Sequence, residues 1–245
     1  MKPEIRVFKN LEGLSWAGAE LFVEQAAQSI LERNGFLVAL NGGSTPTRLF
    51  QLLAADFREK VDWSKVHVFW GDERCVSPED VGSNYGQAWT ALLSHIPMPS
   101  SNIHRIKGEL GPVDAAKDYS LILKKLASLP LEWPRFDLVY LGIGEDGHTA
   151  SLFPGSRVDM LDPVVPVTAH YQDRPANRVT LTPLVFNSAR VVAFMATGAK
   201  KADVLAEVIG GKHNLERYPA QRIDPIDGKL IWLADKAAAG KLPKE

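Results

Sequence analysis

The chain has 245 residues, 28 Lys plus Arg against 29 Asp plus Glu, 45% hydrophobic residues and a single Cys. That length suits one α/β domain over residues 1–245, with enough buried surface to fold without covalent staples. One Cys excludes an intramolecular disulfide and a Cys-rich zinc site, a net charge of −1 excludes a broad nucleic-acid footprint, and no apolar run approaches the ~20 residues of a membrane span.

The chain opens Met-Lys-Pro-Glu-Ile-Arg, with charges where a signal peptide needs an apolar core, so a cytoplasmic protein is expected. A helix over 14–33 stops at Asn34-Gly35, and residues 35–40 form a buried strand. Asn41–Pro46 then opens a helix with Leu49, Phe50 and Leu53 on its apolar face and Ser44 or Thr45 as N-cap. Val66–Trp70 is a second buried strand, ending in the charged turn Gly71-Asp72-Glu73-Arg74. Ser83 or Asn84 caps a helix marked by Tyr85, Ala88, Trp89 and Leu92, and Asp114 caps one marked by Tyr119, Ile122, Leu123 and Leu126. Strands are expected at 136–141, 178–182 and 191–195, and Thr197–Ala202 opens a last helix that ends at Gly210-Gly211. Pro-rich spacers at 97–99, 130–134 and 163–166 are too short for flexible linkers, and 71–84 and 142–178 read as elaborated loops. The alternation predicts an α/β fold, a doubly wound and mostly parallel sheet with helices on both faces.

In such sheets ligands sit beyond the carboxyl ends of the strands, and the unusual residues fall there. Asn41–Pro46 places free backbone N–H groups and hydroxyls at a helix start, which suits a phosphate, although a capped helix without ligand satisfies the same pattern. Arg74 offers a planar fork for phosphate or carboxylate. Gly142–Gly147 formally fits G-x-G-x-x-G, but Glu145 and Asp146 would set negative charge against a pyrophosphate, and Pro154-Gly155 cuts the following helix short. The stretch reads better as acid–base apparatus, with Asp146 two residues from His148 in a glycine-rich loop. The histidines at 67, 95, 104, 170 and 213 are expected to be packing or surface residues. No pair has zinc-protease spacing, so no metal is implied. Arg178 and Lys201 are further cations after strands.

These segments resemble 6-phosphogluconolactonases. The carriers are Asn41–Pro46, Trp70–Arg74 with Ser83-Asn84-Tyr85, Gly142–Gly155, Arg178–Pro183, Thr197–Ala202 and Tyr218-Pro219-Ala220. The resemblance implies the modified Rossmann topology shared with glucosamine-6-phosphate deaminases and hydrolysis of 6-phospho-D-glucono-1,5-lactone, the second step of the oxidative pentose phosphate route. It implies no cofactor, and a small phosphosugar lactone as partner rather than nucleic acid or membrane. Where the deaminases carry Phe-Asn-Glu-Pro this chain has Ser151-Leu152-Phe153-Pro154, and their Asp-Glu-Tyr is Asp72-Glu73-Arg74. Losing one carboxylate and gaining a cation suits ester hydrolysis over a hexosamine-6-phosphate isomerase or deaminase. A sugar-phosphate sensor is the other alternative, and it predicts an attached DNA-binding segment.

In the mechanism so implied, His148 is the base. Asp146 orients it or holds a sugar hydroxyl. Arg74 meets the oxyanion, with backbone N–H groups around Gly144 as rivals. The phosphate rests on Gly43, Ser44 and Thr45 between Arg178 and Lys201, with Lys200 competing for the last place and Asp72 a further substrate contact. Oligomeric state is left open.

Overall fold

Runs of five or six apolar, often β-branched residues are too short for a helical period and form strands buried on both faces. In the computed structural model, which describes residues 3–171 and 174–243, these are β2 (Phe36–Leu40), β3 (Val66–Trp70), β6 (Leu138–Gly142) and β9 (Val191–Ala196). With β1 (Glu4–Phe8), β5 (Ile103–His104) and β10 (Lys229–Asp235) they make a seven-stranded sheet of order β1-β10-β9-β6-β2-β3-β5, with every strand pair parallel. The helices α1 (Leu11–Arg33), α2 (Ser44–Ala55), α3 (Asn84–Ala91), α4 (Pro112–Lys125) and α6 (Ala202–Gly210), with the single turn α5 (Pro183–Phe186), fill the connections. Flanked by these helices, the parallel sheet gives the expected Rossmann-like α/β class. Met1 and Lys2 of the N-terminal reading lie outside the described residues. Among the described residues no helix is long and apolar enough to cross a membrane.

Local signals hold unevenly. Asn34 takes the left-handed conformation (φ 58°) and its N–H closes α1 on the carbonyl of Ile30, as the Asn-Gly stop requires. Ser83 caps α3 by accepting from the Gly86 N–H. Two caps differ from expectation. Neither Ser44 nor Thr45 is the N-cap of α2: Gly43 is, at φ 118°, a value that strains any residue with a Cβ, and both hydroxyl residues lie inside the first turn. Asp114 likewise sits within the first turn of α4, behind a Gly111 cap and Pro112.

A second, antiparallel sheet of order β4-β8-β7 forms from β4 (Asp72–Arg74), β8 (Asn177–Leu181) and β7 (Val164–Thr168). The charged turn at 71–74 is thus a buried strand, and the Pro-rich segment 163–166 runs into β7. Three consecutive charges are tolerated inside because each finds polar partners. Asp72 accepts from Ser151 Oγ (2.7 Å) and Asn84 Nδ2 (3.2 Å), Glu73 accepts from backbone N–H groups, and Arg74 Nη1 donates to the Gly82 carbonyl (2.5 Å). One residue joins the two sheets. The Gly71 N–H donates to Leu40 of β2, and its carbonyl accepts from Leu181 of β8.

Candidate active site

The strand ends of β2, β3, β6 and β9 and the face of the small sheet surround a cleft of about 290 Å³. Its wall contains Gly43, Ser44, Thr45, Asp72, Arg74, Gly144, His148, Arg178 and Lys201, residues from five separate segments of the sequence. Asp146 is the exception among the expected site residues. It lies behind His148, on the side of a separate hollow shared with Asp203, Glu207 and Tyr218.

The loop after β6 is built around the Asp146–His148 pair. Asp146 Oδ1 is 2.6 Å from His148 Nδ1 and also accepts the His148 backbone N–H at 3.1 Å. Burial pushes the Asp146 carboxyl up, but the hydrogen bond and charge of His148, with backbone N–H groups, outweigh it and hold the group below its ordinary 3.8. An ionised Asp146 accepts, so Nδ1 carries the proton and Nε2 keeps its lone pair for the cleft. Gly144 makes this packing possible, because a Cβ there would stand 2.0 Å from His148 Nδ1 and 2.5 Å from Asp146 Oδ1. Its own N–H already donates to the His148 carbonyl (2.8 Å), so of the backbone N–H groups expected around Gly144 as rival oxyanion donors, that of Gly144 itself is occupied. The imidazole also packs on Phe153 and Tyr171, each with its ring centroid at 4.7 Å.

The small sheet supplies the cations. Arg74 and Arg178 face each other in register across β4 and β8, an arrangement that like charges normally avoid. Both are buried, at 7% and 2% exposure. Nε of Arg74 and both Nε and Nη2 of Arg178 are enclosed without a hydrogen-bond partner among the described residues. The Arg178 guanidinium lies 5.3 Å over the Phe153 ring, and burial pushes its pKa down against the opposing charge of Asp72. Enclosed guanidinium N–H groups without acceptors are costly unless an anion completes them.

Across the cleft, the first turn of α2 presents the Ser44 and Thr45 N–H groups, which no helix carbonyl can serve. The Gly43 N–H, expected to join them, instead donates to Gln87 Oε1 (3.1 Å). Thr45 Oγ1 is 2.9 Å from Thr197 Oγ1, tying the α2 start to the loop after β9. Of the two adjacent lysines, Lys201 lines the cleft while Lys200 is exposed and outside its wall. Burial lowers the Lys201 pKa, against the raising charges of Glu145 and Asp146. None of the five other histidines lines the cleft. Tyr171 and Arg174 do, and sequence reasoning missed both, because they stand in the connection between β7 and β8 where no periodicity marks them.

Fold and cleft together define a Rossmann-like α/β protein with an anion-receptive crevice beyond its strand ends and a carboxylate-supported histidine at its wall. The model of the glucosamine-6-phosphate isomerases/6-phosphogluconolactonase family matches residues 9–232, and the chain belongs to that family. It is 36% identical over 244 residues to a 6-phosphogluconolactonase of Nostoc sp., covering 99% of each chain. Among solved structures it is similar to 6-phosphogluconolactonase from Trypanosoma brucei, with a TM-score of 0.86, 31% identity and 99% of each chain covered. A monomeric glucosamine-6-phosphate deaminase shares the fold at a TM-score of 0.81 and 19% identity, over 97% of this chain and 99% of that one.

Proposed function

We propose that the chain, acting as one domain over residues 1–245 in the cytoplasm, hydrolyses 6-phospho-D-glucono-1,5-lactone to 6-phosphogluconate in the oxidative pentose phosphate route. That it is an enzyme of the lactonase kind rests on relatives matched along the whole chain. The observation that carries the chemistry is the pairing of the Asp146-supported His148 with two enclosed guanidinium groups across one cleft. A δ-lactone is already an activated ester, so water needs a base, a held carbonyl and a stabilised oxyanion, but no covalent nucleophile. His148 Nε2 takes a proton as the water oxygen bonds to C1. Arg74 meets the charge that develops on the carbonyl oxygen. The bond from C1 to the ring oxygen then breaks, the imidazolium returns its proton to that oxygen, and the new carboxylic acid loses its proton to solvent.

Asp146 orients the imidazole and stabilises its charged form. Its place behind His148 favours this role over holding a sugar hydroxyl. The phosphate rests on the Ser44 and Thr45 N–H groups, against the Gly43 turn, with Lys201 and Arg178 closing around it. Asp72, held by Ser151 and Asn84, faces the sugar as an acceptor for a hydroxyl. Binding the phosphate far from C1 fixes the ring and contributes to rate by orientation.

The test is acid release from freshly generated lactone, measured against spontaneous hydrolysis for the wild type and His148→Ala. General acid–base catalysis typically contributes about 10²–10⁴-fold, so the variant is expected to lose at least that in kcat while binding 6-phosphogluconate within about threefold of wild type. An unchanged kcat removes His148 from the mechanism, and an inert wild type removes the lactonase reading itself.

A further inference from the structure

The DER segment supplies Asp72 and Arg74 to the cleft, and the reaction above leaves its middle residue without a task. Successive side chains on a strand point to opposite faces, so Glu73 projects away from its two neighbours. Glu73 is 2% exposed and has no salt-bridge partner among the described residues. Four donors satisfy it instead. Oε1 accepts the N–H of Arg74 and that of Asn84, both at 2.7 Å. Oε2 accepts the Tyr85 N–H at 2.8 Å and Ser83 Oγ at 3.1 Å. The carboxylate thus closes the first turn of α3 from outside the helix and pins it to β4.

Both ends of that clamp bear on the cleft. Asn84, the first residue of α3, donates from Nδ2 to the Asp72 carbonyl (2.8 Å) and to its carboxylate, and its side chain fills the space that a Cβ on Gly42 would need. The loop between β4 and α3 returns through Gly82, whose carbonyl holds Arg74 Nη1. A shift of the α3 start therefore moves the carbonyl that aims Arg74 and the amide that holds Asp72.

We propose that Glu73 is a positioning residue, which fixes the Arg74 guanidinium by locking β4 to the first turn of α3. The proposal rests on the reading of Arg74 as the group that meets the oxyanion. A residue that only caps a helix would affect stability and leave the reaction alone. One that aims Arg74 would affect kcat, and only while Arg74 is present.

The experiment is a double-mutant cycle on the full chain, with kcat and KM from lactone hydrolysis and the midpoint of thermal unfolding recorded for each variant. Glu73→Gln keeps the shape but puts an amide donor against N–H groups. It is expected to lower kcat about tenfold with KM changed less than threefold, and to cost less than twofold when added to Arg74→Leu. Ser83→Ala removes one of the four donors and keeps the test open if Glu73→Gln does not fold. It is expected to lower kcat two- to threefold in the wild type and not at all in Arg74→Leu. Asn10→Ala, which removes the N-cap of α1 far from the cleft, shows what lost stability alone does and is expected to leave kcat unchanged well below its unfolding midpoint. Wild-type kcat in Glu73→Gln, or an equal loss in both backgrounds, overturns the proposal. If Arg74→Leu alone is harmless, the oxyanion assignment fails first and takes the proposal with it.

Discussion

Arg178 is the residue that the folded chain has most reason to avoid and the cleft most reason to keep. Enclosing a guanidinium without acceptors costs stability, and setting it opposite Arg74 adds repulsion. Arg178→Met should therefore separate stability from function. We expect KM for the lactone to rise at least tenfold, with a smaller fall in kcat, while the urea midpoint stays level or rises. A variant that is less stable and binds substrate normally would mark Arg178 as a structural residue. Gly144 makes the complementary case. A methyl group there meets the His148 ring at 2.0 Å, so Gly144→Ala is expected to displace the imidazole and lower kcat about 100-fold, with little change in product binding measured by calorimetry. Asp146 and His148 were legible in the sequence because a two-residue spacing in a glycine-rich loop is a local pattern. Tyr171 and Arg174 were not, since their place follows from the pairing of β7 with β8, between which they stand. The occupied N–H groups of Gly43 and Gly144 are likewise tertiary facts, invisible from spacing.

At the scale of elements, apolar runs were enough to find β2, β3, β6 and β9, and the run at 178–182 marked β8 of the small sheet, whereas β1, β4, β5, β7 and β10 escaped. β1 lies at the sheet edge with Ile5 and Val7 exposed, so selection for a buried run is weak there. β4 was misread because three adjacent charges signal solvent unless their partners are known, and all but one of those partners lie 8 to 79 residues away. Strand packing also carries two groups whose protonation opposes one another. His104 on β5 stacks on Phe69 and stands 3.1 Å from His67 Nδ1. Burial and then the His67 charge bring its pKa from 6.5 to about 4. Between pH 4 and 6.5 the unfolded chain binds the extra proton, so this histidine makes stability rise with pH through that window. Burial raises Glu73 from 4.5 to about 6, against the lowering N–H groups. There the folded state holds the extra proton, and stability falls as pH rises from 4.5 to 6. Unfolding free energies from urea titrations between pH 4 and 7 should show His104→Asn flattening the rise by roughly 3 kcal/mol and Glu73→Gln steepening it by roughly 2 kcal/mol. Parallel curves for the three proteins would refute both assignments.

For the whole molecule, the cleft draws its wall from both sheets and from segments between residues 41 and 201. An anion bound there bridges α2, the small sheet and the loop after β9 only in the folded state. At 100 times its Kd, 6-phosphogluconate should add about 2.7 kcal/mol, a rise of roughly 5–10 °C in Tm for a chain of this size. The same ligand should raise Tm far less in Arg178→Met. No comparable rise in the wild type would count against a preformed anion site.

The shared peptide at Gly71 carries this further. Its N–H belongs to the ladder of the large sheet and its carbonyl to that of the small one, so the strand carrying Arg178 cannot lift away without loosening the end of β3. A flap hinged on a loop would open many times for each global unfolding event, and its amides would exchange with solvent accordingly. Here the Leu181 amide, bonded to Gly71, should exchange as slowly as those of β2 and β3. The two arginines then stand in the cleft before any anion arrives, and binding one needs no prior ordering of the small sheet.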